Sequence, residues 1–419
     1  MEDKIKIVDK LMNMKKYEDA IEYLNNIRYS LESDIEYYYK LSKIYEELGF
    51  YDEAIEKLER ILDIDNNSGE TYFKIANVYQ KANELDSCYV YLNKALKYGF
   101  DSSKIFFYRG LIQEVKGNYE EALSFYNKSN IKNKSYMDPR YRTYYIYRLL
   151  GDEILIEKSL REIIENSREQ YKGYRLLFEF LISKNRYRDG KNLLEEAKKI
   201  FFDSEELKYD LVRIYIKITK YEMAEEIIKS IPEDSDNYKV FQIEQSRLEA
   251  IYKNYYIARS ILEKENVYDE KNTEILYLLG IYNIKIKDFK NSCKYLDKLI
   301  LLDSNNLLVI VGHYLNACSY RIIEGKEASI RRFKKLYKFY SNKLLENRGD
   351  TKLIILKILS LLEIDDYIEI NNTINEIKEE NSEDSYKVIR LVNKFIESKA
   401  NGKFNSIDII MMLKVLWSR

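Results

Sequence analysis

Three observations predict an all-α solenoid. A small residue recurs every 34 positions, at Ala20, Ala54, Cys88 and Ala122 and again at Gly190, Ala224, Ala258 and Ser292, with Ile156 in the one place that departs. Only 2 Pro and 13 Gly occur in 419 residues, so the punctuation that sheets and long loops need is almost absent. Apolar residues fall at helical spacing around each small residue. A unit that returns nine times without an insertion is stacked on itself, so length counts repeats rather than globular domains.

The first helix of each unit is marked twelve residues before the small residue, by Val8, Ser42, Ala76, Gly110, Tyr144, Phe178, Val212, Ser246 and Gly280. Most of these are small. Antiparallel helices joined by a short turn approach closely only where facing residues leave room, which predicts contact between the two rows. Phe178 opposite Gly190 keeps the combined volume. The second helix opens at Tyr17, Tyr51, Leu85, Tyr119, Glu153, Tyr187, Tyr221, Tyr255 and Phe289. Seven positions later stand Leu24, Leu58, Leu92, Tyr126, Leu160, Leu194, Ile228, Leu262 and Leu296, all apolar. These spacings make one apolar stripe that a neighbouring helix must cover. Helices this short are marginal alone, so stacking supplies the stability.

These residues resemble the tetratricopeptide repeat. The likeness is carried by Tyr72, Ile75, Ala76 and Tyr79 before Leu85 and Cys88, and by Phe106 and Gly110 before Asn118, Tyr119 and Ala122. It covers residues 1–306 as nine repeats. The resemblance implies a right-handed superhelical α-solenoid of helix-turn-helix units, whose concave face is lined by the first helices and grips an extended or helical segment of a protein partner. Two departures stand out: most closing turns lack Pro, as at Asp65-Asn66-Asn67, and bulky Tyr144 faces bulky Ile156. After residue 306 the phase breaks, and the apolar pattern gives helix pairs near 307–346, 350–380 and 384–418. Residues 307–419 are therefore expected to be divergent helical repeats and a C-terminal cap, with Met411, Met412 and Trp417 as capping contacts.

Charge and motifs bound the function. Lys and Arg (69) balance Asp and Glu (70), so the basic excess of a nucleic-acid-binding protein is missing and no such partner is expected. The opening MEDKIKIVDKLMNMKK has no apolar stretch of signal-peptide length, and the run from Leu353 to Leu362 is too short to span a bilayer and is interrupted by Lys357. A cytoplasmic protein is the expectation, and its wealth of Tyr, Lys, Ile and Asn suits a bacterial source. Cys88, Cys293 and Cys318 lack the spacing of a metal site or a redox pair, and Cys88 belongs to the small-residue row. His313 is the single histidine, set among apolar residues, and no Gly-rich phosphate loop occurs. Neither catalysis nor any cofactor or metal is expected.

One row on the first helices reads Ile5, Tyr39, Phe73, Phe107, Tyr141, Arg175, Tyr209, Ile243 and Tyr277. With Tyr145 it suggests an aromatic track for a partner, since rings bury large area at low entropic cost. Arg142, Arg148, Arg175, Arg213 and Arg247 lie on the same helices, although Glu179, Asp210 and Glu244 stand three or four residues from an arginine. The candidate partner-binding residues are thus Tyr39, Phe73, Phe107, Tyr141, Tyr145, Arg175, Tyr209, Arg213, Arg247 and Tyr277. They suit an acidic and apolar segment of a protein or peptide. The carboxylate clamp known in the family is not expected: Asn77 and Arg142 match two of its positions, but Phe73, Tyr108 and Asp138 occupy the others. The basic run Arg331, Arg332, Lys334, Lys335 and Lys338 is taken as a solvated helix face. A non-enzymatic scaffold is the leading reading, with a peptide-sensing bacterial regulator or an accessory subunit of an enzyme complex as alternatives.

Overall fold

The computed structural model describes residues 2–28, 34–303, 305–347, 349–379 and 383–405. Among them it has 23 α-helices and no strand. The chain forms two compact units, Met1–Leu177 and Phe178–Arg419. The first unit contains α1 (Glu2–Asn13), α2 (Tyr17–Ile27), α3 (Asp34–Leu48), α4 (Tyr51–Ile64), α5 (Gly69–Lys81), α6 (Leu85–Lys97), α7 (Ser102–Val115), α8 (Tyr119–Lys132), α9 (Asp138–Leu150) and α10 (Glu153–Asn166), and the dividing point falls within α11 (Tyr171–Ser183). The second continues with α12 (Tyr187–Lys198), α13 (Glu205–Lys217), α14 (Tyr221–Lys229), α15 (Tyr238–Ile251), α16 (Tyr255–Tyr268), α17 (Thr273–Lys285) and α18 (Phe289–Leu299). Five helices follow: α19 (Leu307–Glu324), α20 (Lys326–Glu346), α21 (Thr351–Glu363), α22 (Tyr367–Glu379) and α23 (Glu383–Ala400).

Every second helix of the nine repeats starts at the position the sequence marks, from Tyr17 to Phe289. The turn before it explains why. Two residues upstream the backbone enters the left-handed region at Lys15, Gly49, Asn83, Gly117, Gly151, Asn185, Thr219, Lys253 and Lys287, with φ between 57° and 80°. This conformation lets the next amide donate to a carbonyl five residues back, as Phe50 does to Tyr45 at 2.9 Å, Arg186 to Leu181 at 2.9 Å and Asp288 to Asn283 at 2.8 Å. The bond satisfies a carbonyl that the end of the first helix would otherwise leave free. Glycine and asparagine enter this region easily, whereas a β-branched residue does so under strain. Thr219, at φ 60°, is such a residue. Thr219→Gly is therefore expected to stabilise the second unit by about 1 kcal/mol. Chemical denaturation of the full chain checks this, and a lower midpoint would show that the threonine side chain contributes more than its backbone costs. Asp365 repeats the turn at φ 61° just before α22, so the device outlives the loss of the 34-residue phase.

The small-residue row is buried throughout, and so is the row twelve residues before it. At Gly190 the expected pairing holds: an added Cβ would lie 3.5 Å from the ring of Phe178. Gly110 and Gly280 differ. A Cβ on Gly110 would run into the ring of Tyr126, and one on Gly280 would lie 2.5 Å from Leu296. These glycines face the residue sixteen positions on, not twelve, because the bulky row of the second helix leans over the first. Tyr126 is wholly buried in the room that Gly110 leaves.

One core runs from Ile243 to Phe395 and crosses residue 306 without a break, so the change of phase there is not a change of packing. Within it α21 is buried from Leu353 to Glu363. A helix apolar on all sides belongs in a core, and α21 is held by α20, α22 and α23. Lys357 on this helix is itself buried, with its ammonium 3.5 Å from Glu369. Of the expected final pair, α23 is described; Met411, Met412 and Trp417 lie outside the described residues.

Candidate interaction groove

In the first unit the aromatic row is largely committed to packing. Tyr39 shares a hydrogen bond of 2.7 Å with Thr71. Phe73 stacks on Phe100 with centroids 4.3 Å apart and meets Tyr108 edge-on. Phe107 touches Tyr126 and Tyr136, and Lys172 lies over the ring of Tyr141; both aromatics are 8% exposed. Arg175 is half-buried. Tyr145 remains 40% exposed, one turn from exposed Leu149. Arg142, a clamp-type position, is held by Glu114 at 2.9 Å, and Glu114 also accepts from Tyr126 at 2.6 Å.

In the second unit Tyr277 is 3% exposed and belongs to the core. Tyr209 meets Phe241 edge-on, and burial together with nearby Glu244 pushes its hydroxyl up to about 12. An open track of rings is thus not what the structure forms. Successive first helices stand close enough that a ring at this position fills the space between them.

Arg213 and Arg247 are paired with acids, and across repeats as well as within helices. Arg213 pairs with Glu179 of the preceding first helix and with buried Asp210 at 3.1 Å, and its guanidinium lies 5.6 Å from the rings of Phe178 and Tyr209. Burial works against its charge, but Glu179 and Asp210 hold it above its ordinary pKa. Arg247 pairs with Glu244 and Glu274. Burial raises the Glu244 carboxyl despite the pull of Arg247. This ladder of ions forms one wall of a groove of about 540 Å³ along α13, α15 and α17. Ile216, Ile251, Leu278 and Ile281 supply its apolar lining, and Lys217 and Lys285 also face it. The sequence analysis missed Lys217, Ile251 and Lys285. They form a row at the same 34-residue interval, four residues after Arg213, Arg247 and Ile281, and that interval was the signal available.

The remaining candidates are structural. Cys88, Cys293 and Cys318 are buried, and burial pushes the thiols of Cys88 and Cys293 up to about 12. Burial also lowers the pKa of His313, whose ring lies 4.7 Å from Phe339. In α20 Phe333 and Tyr340 are buried while Arg331, Lys334, Lys335 and Lys338 face solvent, as expected of an amphipathic helix. Among the described residues no His, Cys, Asp and Glu cluster suits a metal, and no helix is long and apolar enough to cross a membrane.

Stacked helix pairs joined by one recurrent turn define a helical-repeat protein. Two family descriptions, each for a tetratricopeptide repeat, match residues 35–68 and 273–306, in phase with each other and with the small-residue row. The chain thus carries tetratricopeptide repeats. No curated protein matches it in sequence. Among solved structures it is similar to yeast Tom70, with 13% identity over 93% of this chain and 94% of that one at a TM-score of 0.48. It is also similar to MamA, with 20% identity over 40% and 97% at 0.33. A tetratricopeptide repeat protein from Parabacteroides merdae is similar too, with 15% identity over 59% of this chain and 98% of that one at a TM-score of 0.36.

Proposed function

We propose that the chain is a non-enzymatic scaffold that holds a protein segment in the groove of the second unit. The observation that carries this reading is the juxtaposition of apolar Ile216, Ile251 and Ile281 with Lys217 and Lys285 in one groove of about 540 Å³. An amphipathic helix or extended segment with apolar anchors and acidic flanks matches that lining. Arg213 and Arg247 shape the wall through their ion pairs rather than reaching for the partner.

A photo-crosslinking residue placed at Ile251 is expected to capture one stoichiometric partner, and the same residue at Phe202, 76% exposed, is not. Titration of that partner should show a loss of about tenfold for Ile251→Asp, the effect of removing one apolar anchor of a hot spot. Equal capture from Phe202, or unchanged affinity in Ile251→Asp, would move the working surface elsewhere.

A further inference from the structure

The chain is neutral as a whole, yet residues 87–137 hold eight Lys or Arg against four Asp or Glu. Basic side chains of the first unit pair with carboxylates at other places, as Lys40 does with Asp9 at 2.5 Å. Lys94, Lys97, Arg109 and Lys128 form no ion pair among the described residues and rest on rings instead. Their charged groups lie 4.3 Å from the centroid of Tyr91, 5.5 Å from Tyr98, 5.2 Å from Tyr89 and 5.0 Å from Phe125 respectively.

These contacts link four consecutive helices. Tyr72 of α5 stacks on Tyr98, just after α6, at 5.1 Å, Arg109 of α7 donates to Asn93 of α6, and Phe106 of α7 stacks with Phe125 of α8 at 6.5 Å. The band is open to water at Tyr89 and Val90, which are 37% and 51% exposed. A solvated helix face needs charge but has no use for rings. Here planar faces and uncompensated positive charge are interleaved. A single strand of nucleic acid presents the complement, bases that stack and phosphates that pair with cations. An acidic peptide would engage the lysines and leave the rings idle, and a duplex hides its base faces.

We infer that this band of the first unit binds single-stranded nucleic acid without sequence readout, with a base on Tyr89 and phosphates at Lys94, Lys97 and Lys128. The site lies on residues separate from the groove of the second unit and stands or falls independently of it. The test is fluorescence anisotropy of the full chain with a labelled oligouridylate of about 12 nucleotides. Binding should weaken steeply between about 50 and 200 mM salt. Lys94→Ser with Lys97→Ser and Lys128→Ser should lower affinity at least about tenfold and flatten the salt slope. Tyr89→Ala should lower it about tenfold at unchanged slope, since stacking carries no counterions. Circular dichroism melts control for folding, and the three lysines are exposed. Absence of oligouridylate binding overturns the proposal. So does tighter binding of polyglutamate or of a duplex of equal length, or an unchanged affinity in Tyr89→Ala.

Discussion

Gly110→Ala is expected to destabilise the first unit by about 2–3 kcal/mol, although alanine ordinarily favours a helix over glycine by about 1 kcal/mol. The new methyl would occupy the space of the Tyr126 ring, which is wholly buried. The ring has little freedom to swing aside, because its hydroxyl donates to Glu114 and Glu114 is held by Arg142. In the preceding repeat the same two positions hold Ala76 and Leu92, both buried. The cost of Gly110→Ala should therefore fall below about 1 kcal/mol when Tyr126→Leu is also present. Urea denaturation of the four proteins in this cycle measures the coupling. A coupling near zero would show that Gly110 and Tyr126 do not share one space.

Arg213→Met should cost the second unit about 2–4 kcal/mol, less than the full cost of breaking a buried pair because the arginine side chain is 28% exposed. The loss arises mainly from Asp210, which is fully buried and would lose the Arg213 guanidinium. Asp210→Leu added to Arg213→Met should recover most of it, since apolar side chains of similar volume commonly replace a buried ion pair without penalty. Thermal melts of the three proteins decide the matter, and a double variant no better than the single would mean that Glu179 governs. The arginine row is accordingly a poor place to probe partner binding by mutation, because affinity and folding would change together. Ile251 and Lys285, at the groove surface, separate the two.

The repeat length, the start of every second helix and the burial of both small-residue rows were legible from spacing alone. The pairing of those rows was legible only in part. Helical periodicity locates a stripe but not the depth to which a side chain crosses it, so Gly110 was matched with Ala122 and not with the ring of Tyr126. The turn left its trace in Gly49, Asn83, Gly117, Gly151 and Asn185, but Lys15, Thr219, Lys253 and Lys287 at equivalent places concealed it. The aromatic row misled for a geometric reason. A residue on a first helix can face a groove or the first helix of the next unit from nearly the same angle, and Phe107, Tyr141 and Tyr277 face inward. The arginines were visibly close to acids along one helix, whereas Glu179 and Glu274 reach them from neighbouring repeats.

The left-handed turn has a consequence for how such a chain can change. What closes each helix pair is a backbone angle and a hydrogen bond, and glycine, asparagine, lysine and threonine all deliver it here. Identity at that point can vary at a modest cost, but count cannot. Losing one residue would rotate the following helix by about 100° and carry its apolar row away from its neighbour. Losing 34 would return every row to its place. Arrays of this kind should therefore lengthen and shorten in whole repeats, and the site of the cut should matter less than the size of the piece removed.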